Sequence, residues 1–443
     1  MLGSCTPDTR PVKSAASYDV PPATSARSAG PQPAAESLPT RASVENTGAV
    51  VEPAEPEAPN ASVRPAPAFT HPMPQLASFY DAVEALQQGK RTRPVRVLWL
   101  GDSHTAADFM THPIRKHLSG LVSDGGAGFF RLGLDGYRHG AVRLSKSGRW
   151  RKAPILPAQR TRVLDGVFGY GGIRTLPAAG ARAGAELRES GEGQVRWTLS
   201  YRLPKGARLR VQLGEQRHVL EPEESGTPGE ILESSWVAPS AEKLSVAHVS
   251  GDPQIFGAYA EREAPGVVFD TVGINGARAA TPLAWEPDQW VFQVKNRQPD
   301  LLALAFGTNE VFDRTSPHRY EQHLIKLVGL AREARPELPC WVIGPPDSAA
   351  KNGGSKERVL SVSEVLKATS QSLGCAYTSA FELMGGEGSF SRWMRERPAK
   401  ARSDRIHLTI AGYEALGVSL AESLITAHDA GSADSADPTA EKK

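Results

Sequence analysis

The chain has 443 residues, 40% hydrophobic and 23% charged, with 51 Lys and Arg against 49 Asp and Glu, for a formal net charge of +2. That balance is globular, and it excludes a protein built around a polyanion, because holding a phosphate backbone takes a surplus of cations; no nucleic-acid partner is expected. Three cysteines are too few for a disulfide framework or a four-thiolate zinc site, and no apolar run reaches the roughly 20 residues of a spanning helix.

Residues 1–74 read as a tether. Positions 1–70 hold 12 of the 35 prolines and only two aromatics, Tyr18 and Phe69. Such a segment buries too little apolar surface to offset its ordering entropy, so disorder with polyproline-II character is expected. The start, Met1-Leu2-Gly3-Ser4-Cys5, resembles the end of a bacterial lipoprotein signal and implies lipid attachment at Cys5. The charged start and apolar stretch of a signal peptide do not precede it. Two readings stand. The protein is exported to the cell envelope, in the periplasm or at the outer membrane, on a lipid anchor; or it is cytoplasmic, with a disordered N-terminus and a coincidental match. Residues 428–443 read as a disordered tail.

Between these ends, strands and helices alternate. Val95 to Leu100 is an apolar run that fits a strand buried on both faces. A helix follows, with Pro113 in its first turn and Ile114, Leu118 and Leu121 at helical spacing. The stretch from about 140 to 262 breaks the rhythm. Residues 194–203, 209–213 and 244–249 alternate polar and apolar between Gly/Pro turns, which predicts antiparallel strands, as in a sandwich. Trp150, Trp197, Tyr201 and Trp236 have two uses open to them there, as stacking faces for sugars or as sandwich core. The rhythm resumes with strands at 267–269, 301–306, 340–343 and 375–377 and helices near 284–297, 317–334, 357–372 and 411–425. Five strand–helix units imply a parallel sheet with helices on both faces. The expected organisation is an α/β domain of residues 75–140 and 263–427, interrupted by an all-β domain of residues 141–262.

Polar residues cluster where the strands end, which is where open parallel sheets bind ligands. The first strand ends in Gly101-Asp102-Ser103-His104, the second runs into Gly273-Ile274-Asn275-Gly276, and the third into Gly307-Thr308-Asn309-Glu310. The loop before the last helix carries Asp404-Arg405-Ile406-His407. Each cluster alone is weak, but the set falls at the right strand ends in order. The Asp124-Gly125-Gly126-Ala127-Gly128 run lacks the Lys-Ser/Thr ending of a phosphate loop, so nucleotide binding is not expected.

These four clusters resemble the motifs of the SGNH hydrolases, the GDSL esterase/lipase family, over residues 93–140 and 263–427. The resemblance implies the flavodoxin-like three-layer fold with a five-stranded parallel sheet. It implies Ser103 as nucleophile, His407 as general base and Asp404 as its orienting partner. The oxyanion hole would be formed by the Ser103 and Gly276 backbone N–H groups and the Asn309 side-chain amide. His104 stands where the family has Leu. No metal or other cofactor is implied. Other uses remain open for Gly276, as a turn glycine, and for Asn309, as a helix cap. Asp102 is expected to hold its turn and Glu310 to make structural hydrogen bonds. His104 and Thr105 are candidates to line the site. His112, His117, His139 and His318 are expected at the surface or in packing.

The β insertion makes the chain similar to exported SGNH enzymes that deacetylate peptidoglycan. The expected activity is thus a serine O-acetylesterase acting on a cell-wall or extracellular polysaccharide, or on a small ester. The alternatives are a glycan O-acetyltransferase of the same fold and an inactive glycan-binding surface lipoprotein. Cys340 and Cys375 begin neighbouring strands and are expected as two buried thiols, with a disulfide as the alternative.

Overall fold

The structure, a computed structural model, describes residues 68–154, 165–222, 230–313, 315–349 and 356–428. Cys5 and most of the N-terminal tether lie outside these residues, as does the tail from residue 429. At the edges of both, Ala68–Thr70 pairs antiparallel with Thr426–His428. The pairing satisfies backbone groups that a disordered tether would leave to water, so the structured part begins before residue 75.

The central sheet has five parallel strands: β1 (Val95–Gly101), β2 (Val267–Gly273), β3 (Leu301–Ala305), β4 (Cys340–Gly344) and β5 (Ala376–Ser379), in the order β2-β1-β3-β4-β5. Except for Arg96, every residue of the three middle strands is buried, which is why they read as continuous apolar runs rather than alternating ones. Successive side chains still point to opposite faces. Leu98, Leu100, Leu302, Leu304 and Val342 pack under α3 (Pro287–Arg297), α5 (Pro317–Ala334) and α6 (Lys356–Ser372). Val97, Trp99, Ala303, Trp341 and Ile343 pack under α1 (Ala77–Gln87), α2 (Thr111–Leu121) and α9 (Ile410–Leu424). Three short helices complete the α/β part: α4 (Thr308–Val311), α7 (Ala380–Leu383) and α8 (Ser389–Arg395).

Between β1 and β2 the chain builds two antiparallel sheets. One has five strands: Gln216–Leu220, Arg208–Leu213, Leu244–Ser250, Arg182–Leu187 and Val142–Ser147. The other runs Leu232–Pro239, Gln194–Arg202, Gln254–Arg262, Ile173–Pro177 and Trp150–Pro154, with Gly126–Phe130 also paired to Gln254–Arg262. Their inner faces share one core, with Val211 and Leu244 from the first sheet meeting Trp197, Leu199 and Ala258 from the second. Trp150, Trp197 and Tyr201 are buried in that core and Trp236 packs against its edge, so these rings serve packing. The antiparallel pairing starts at Gly126, earlier than the alternating pattern indicates. This explains the glycine run: a Cβ on Gly128 would sit 2.2 Å from the Phe269 carbonyl oxygen, so the strand passes β2 closely only without a side chain.

A buried ionic brace joins the sandwich to the central sheet. Arg297 donates to Asp270 at 2.8 and 2.9 Å and to Glu261 at 2.7 Å, and Arg96 donates to the same Glu261 at 2.8 and 2.9 Å. Burial alone would raise Glu261; the two guanidiniums outweigh it and hold the carboxyl at about 2.

Cys340 and Cys375 are joined in a disulfide, which corrects the expectation of two free thiols. Trp341 pairs with Ala376 across β4 and β5, so the preceding residues lie directly opposite each other, with Cα atoms 4.7 Å apart and both side chains on the same face of the sheet. That spacing is within bridging range.

Candidate active site

The turn after β1 projects Ser103. The Thr105 N–H donates to the Asp102 carbonyl at 3.2 Å, and the His104 N–H donates to the Asp102 carboxylate at 2.9 Å. The Asp102 side chain thus holds the turn, as expected. It is fully buried, and burial pushes its carboxyl up to about 7 against the pull of the His104 N–H. Thr105 is buried too, accepting from the Trp99 indole at 3.2 Å, so it anchors the turn and does not line the site.

Far along the chain, the loop before α9 brings in Asp404 and His407. The Asp404 Oδ1 accepts the backbone N–H groups of Ile406 at 3.0 Å and His407 at 2.9 Å. This tight local turn, with Arg405 at φ +66°, leaves Oδ2 to meet His407 Nδ1 at 3.1 Å. On the other side of the ring, His407 Nε2 lies 2.8 Å from Ser103 Oγ. The network assigns the proton to Nδ1, donated to Asp404, and leaves Nε2 to accept from the serine hydroxyl. Burial would raise the Asp404 carboxyl; the N–H groups of His407 and Ile406 and the imidazole hold it below the usual range. The carboxylate therefore stays ionised beside the ring it orients. Thr409 caps α9 through Gly412 N–H at 3.2 Å, fixing the loop to a packed helix.

Gly276 and Asn309 arrive from the ends of β2 and β3. Gly276 has φ +79°, a conformation that costs an L side chain roughly 1–2 kcal/mol. Among the described residues neither its N–H nor that of Ser103 has a hydrogen-bond partner. One N–H of the Asn309 amide donates to the Ala277 carbonyl at 2.8 Å; the amide has two donors, so one remains. The three groups expected to act on an oxyanion therefore sit on adjacent strand-end loops, each with a donor unspent.

His104 is buried beside the site, its ring centroid 5.4 Å from that of His407 and its Nδ1 3.1 Å from the Tyr413 hydroxyl. Burial, and then the neighbouring His407, lowers it to about 3, so it is neutral at ordinary pH. Among the other histidines, His318 is exposed and His117 meets the Ile425 carbonyl at 3.0 Å. His139 is buried with Asp108, Thr111, Arg115 and Thr271 in a polar cluster behind the serine turn. This cluster was not anticipated: Asp108 and Arg115 lie seven residues apart across the start of a helix, with no pattern to mark them as partners. Among the described residues no three His, Cys, Asp or Glu side chains group as a metal site, and no helix is long and apolar enough to cross a membrane.

Residues 240–415 match the model of the GDSL-like lipase/acylhydrolase family. No curated protein sequence matches the chain. Among solved structures, a peptidoglycan O-acetylesterase matches with TM-score 0.66 at 24% identity, covering 80% of this chain and 97% of its own. A family two carbohydrate esterase from Cellvibrio japonicus matches at 11% identity over 64% of this chain and 97% of its own, with TM-score 0.29. A lipase/acylhydrolase from Enterococcus faecalis matches at 16% over 36% of this chain and 75% of its own, with TM-score 0.29.

Proposed function

We propose that this chain, whose residues 240–415 match the GDSL-like lipase/acylhydrolase family, is a serine esterase of the SGNH type that removes O-acetyl groups from a cell-wall or extracellular polysaccharide. The observation that carries the reading is the continuous relay from Ser103 Oγ through His407 to Asp404, at 2.8 and 3.1 Å. A serine hydroxyl is a weak nucleophile until a base takes its proton. His407 Nε2 accepts that proton as Ser103 Oγ attacks the acetyl carbonyl, and Asp404 stabilises the imidazolium that forms. The carbonyl oxygen gains negative charge and is met by the Ser103 and Gly276 N–H groups and the Asn309 amide, donors already in place before reaction. His407 then protonates the departing sugar hydroxyl. Water, activated by the same imidazole, releases acetate from the acyl-serine.

The substrate class is supported by the reach of the structural match. Coverage of 80% of the chain is more than the α/β part alone can supply, so the likeness to the peptidoglycan O-acetylesterase extends into the β insertion. Export is supported by the Cys340–Cys375 disulfide, since such bonds persist in oxidising compartments. Anchoring through Cys5 is supported by the Met1-Leu2-Gly3-Ser4-Cys5 start and the Pro-rich stretch that follows it.

The test is covalent labelling. A fluorophosphonate should add one phosphonyl group to the intact protein and place it on Ser103 by peptide mapping. Its absence from Ser103→Ala supports the reading, and labelling at another residue overturns it.

A further inference from the structure

We propose that Glu310 is a positioning residue that clamps the two loops carrying Gly276 and Asn309, and so sets the geometry of the oxyanion donors. The proposal rests on the esterase reading above. A Glu at the third position of a helix commonly reaches back to the N–H that starts it, using one oxygen. Glu310 does this, its Oε2 accepting the Gly307 N–H at 3.1 Å. Its second oxygen goes elsewhere: Oε1 accepts the Ala279 N–H at 2.9 Å, from the loop after β2. Within that same loop Ala277 accepts the Asn309 amide at 2.8 Å. Gly276 thus lies just before a segment held at two points, residues 277 and 279, by two consecutive residues of α4. From outside, Arg358 donates to the Glu310 carbonyl at 3.0 Å and to the Asp313 carbonyl at 3.2 Å, which fixes α4 against α6.

The chemistry of the clamp calls for a carboxylate. It offers an acceptor to each N–H, whereas an amide of the same shape offers one oxygen and turns an NH2 towards the other N–H. Glu310 is 2% exposed and, among the described residues, makes no salt bridge. Burial raises its carboxyl to about 7, opposed by the Ala279 N–H. A buried carboxylate is an expensive way to fasten two loops, and it is justified where their separation must be held to a few tenths of an ångström.

The test is a double-variant cycle on hydrolysis of a small acetyl ester. Glu310→Gln should lower kcat about 10- to 100-fold with KM changed less than about twofold, because the loss falls on the transition state. Asn309→Ala should cost about 100- to 1,000-fold. If Glu310 acts through the donors, the double variant falls short of the product of the two single losses by at least about threefold, because Asn309→Ala already removes one of the donors that Glu310 positions. Full multiplication of the two losses overturns the proposal, as does a Glu310→Gln kcat within twofold of wild type. Should Glu310→Gln fail to fold, Glu310→Asp carries the same comparison, since its shorter side chain reaches only one N–H. Ser103→Ala separates the two claims: retained activity there sinks the esterase reading itself, whereas an inactive Ser103→Ala beside an unaffected Glu310→Gln sinks only the clamp.

Discussion

Breaking the Cys340–Cys375 disulfide should weaken the fold and leave catalysis intact. The bond closes a loop of 35 residues, which by chain entropy restricts the unfolded state by about 4 kcal/mol at 25 °C. The bridge lies where β4 and β5 begin, at the end of the sheet opposite the strand ends that lead to Ser103, Gly276 and Asn309. Its loss therefore acts on the unfolded chain and on local packing, not on the relay. In urea unfolding followed by tryptophan fluorescence, Cys340→Ala/Cys375→Ala should lower the midpoint by about 1 M or more, for a slope near 3 kcal/mol per M. The kcat for a small ester, measured well below the transition, should stay within about twofold. An unchanged midpoint would refute the entropic argument. A fall in kcat in step with stability would refute the placement of the bridge away from the site.

Two further outcomes follow from the electrostatics. Asp404→Asn keeps the shape of the loop but lets the imidazole adopt the wrong tautomer, so kcat should fall by roughly 1,000- to 10,000-fold with folding retained, as read by steady-state kinetics and circular dichroism. Asp108 is buried, and burial would raise its carboxyl, but Arg115 and His139 hold it at about 2. Its folded value lies below the unfolded one, so its contribution is complete above about pH 4 and is lost as pH falls towards 2. Urea midpoints should drop between pH 4 and 2, and Asp108→Asn should start lower at pH 6 and show a shallower acid slope. Equal slopes would contradict the assignment.

The α/β scaffold was legible because buried parallel strands are continuous apolar runs. The first three strands also run into Gly-polar clusters, as at Gly101-Asp102-Ser103 and Gly307-Thr308-Asn309, so the candidate site could be read at the same positions. The sandwich was legible only where the period of two was clean, as in Gln194–Arg202. Arg182–Leu187 is largely Ala and Gly, and Ile173–Pro177 is buried with a charged residue inside, so neither shows an alternating pattern. The role of Gly126–Phe130 was hidden because its glycines look like a loop until the close passage past Phe269 is known. The disulfide depends on strand register, which spacing does not encode. The second hydrogen bond of Glu310 joins residues 31 apart on separate loops, and only the fold brings them together.

The most direct test of the central claim is acetate released from O-acetylated cell-wall polysaccharide, comparing wild type with Ser103→Ala. The account predicts release by the wild type that depends on enzyme concentration, and none above background by the variant. Release by Ser103→Ala at the wild-type rate, or no release by a wild type whose Ser103 is labelled by a fluorophosphonate, would contradict it.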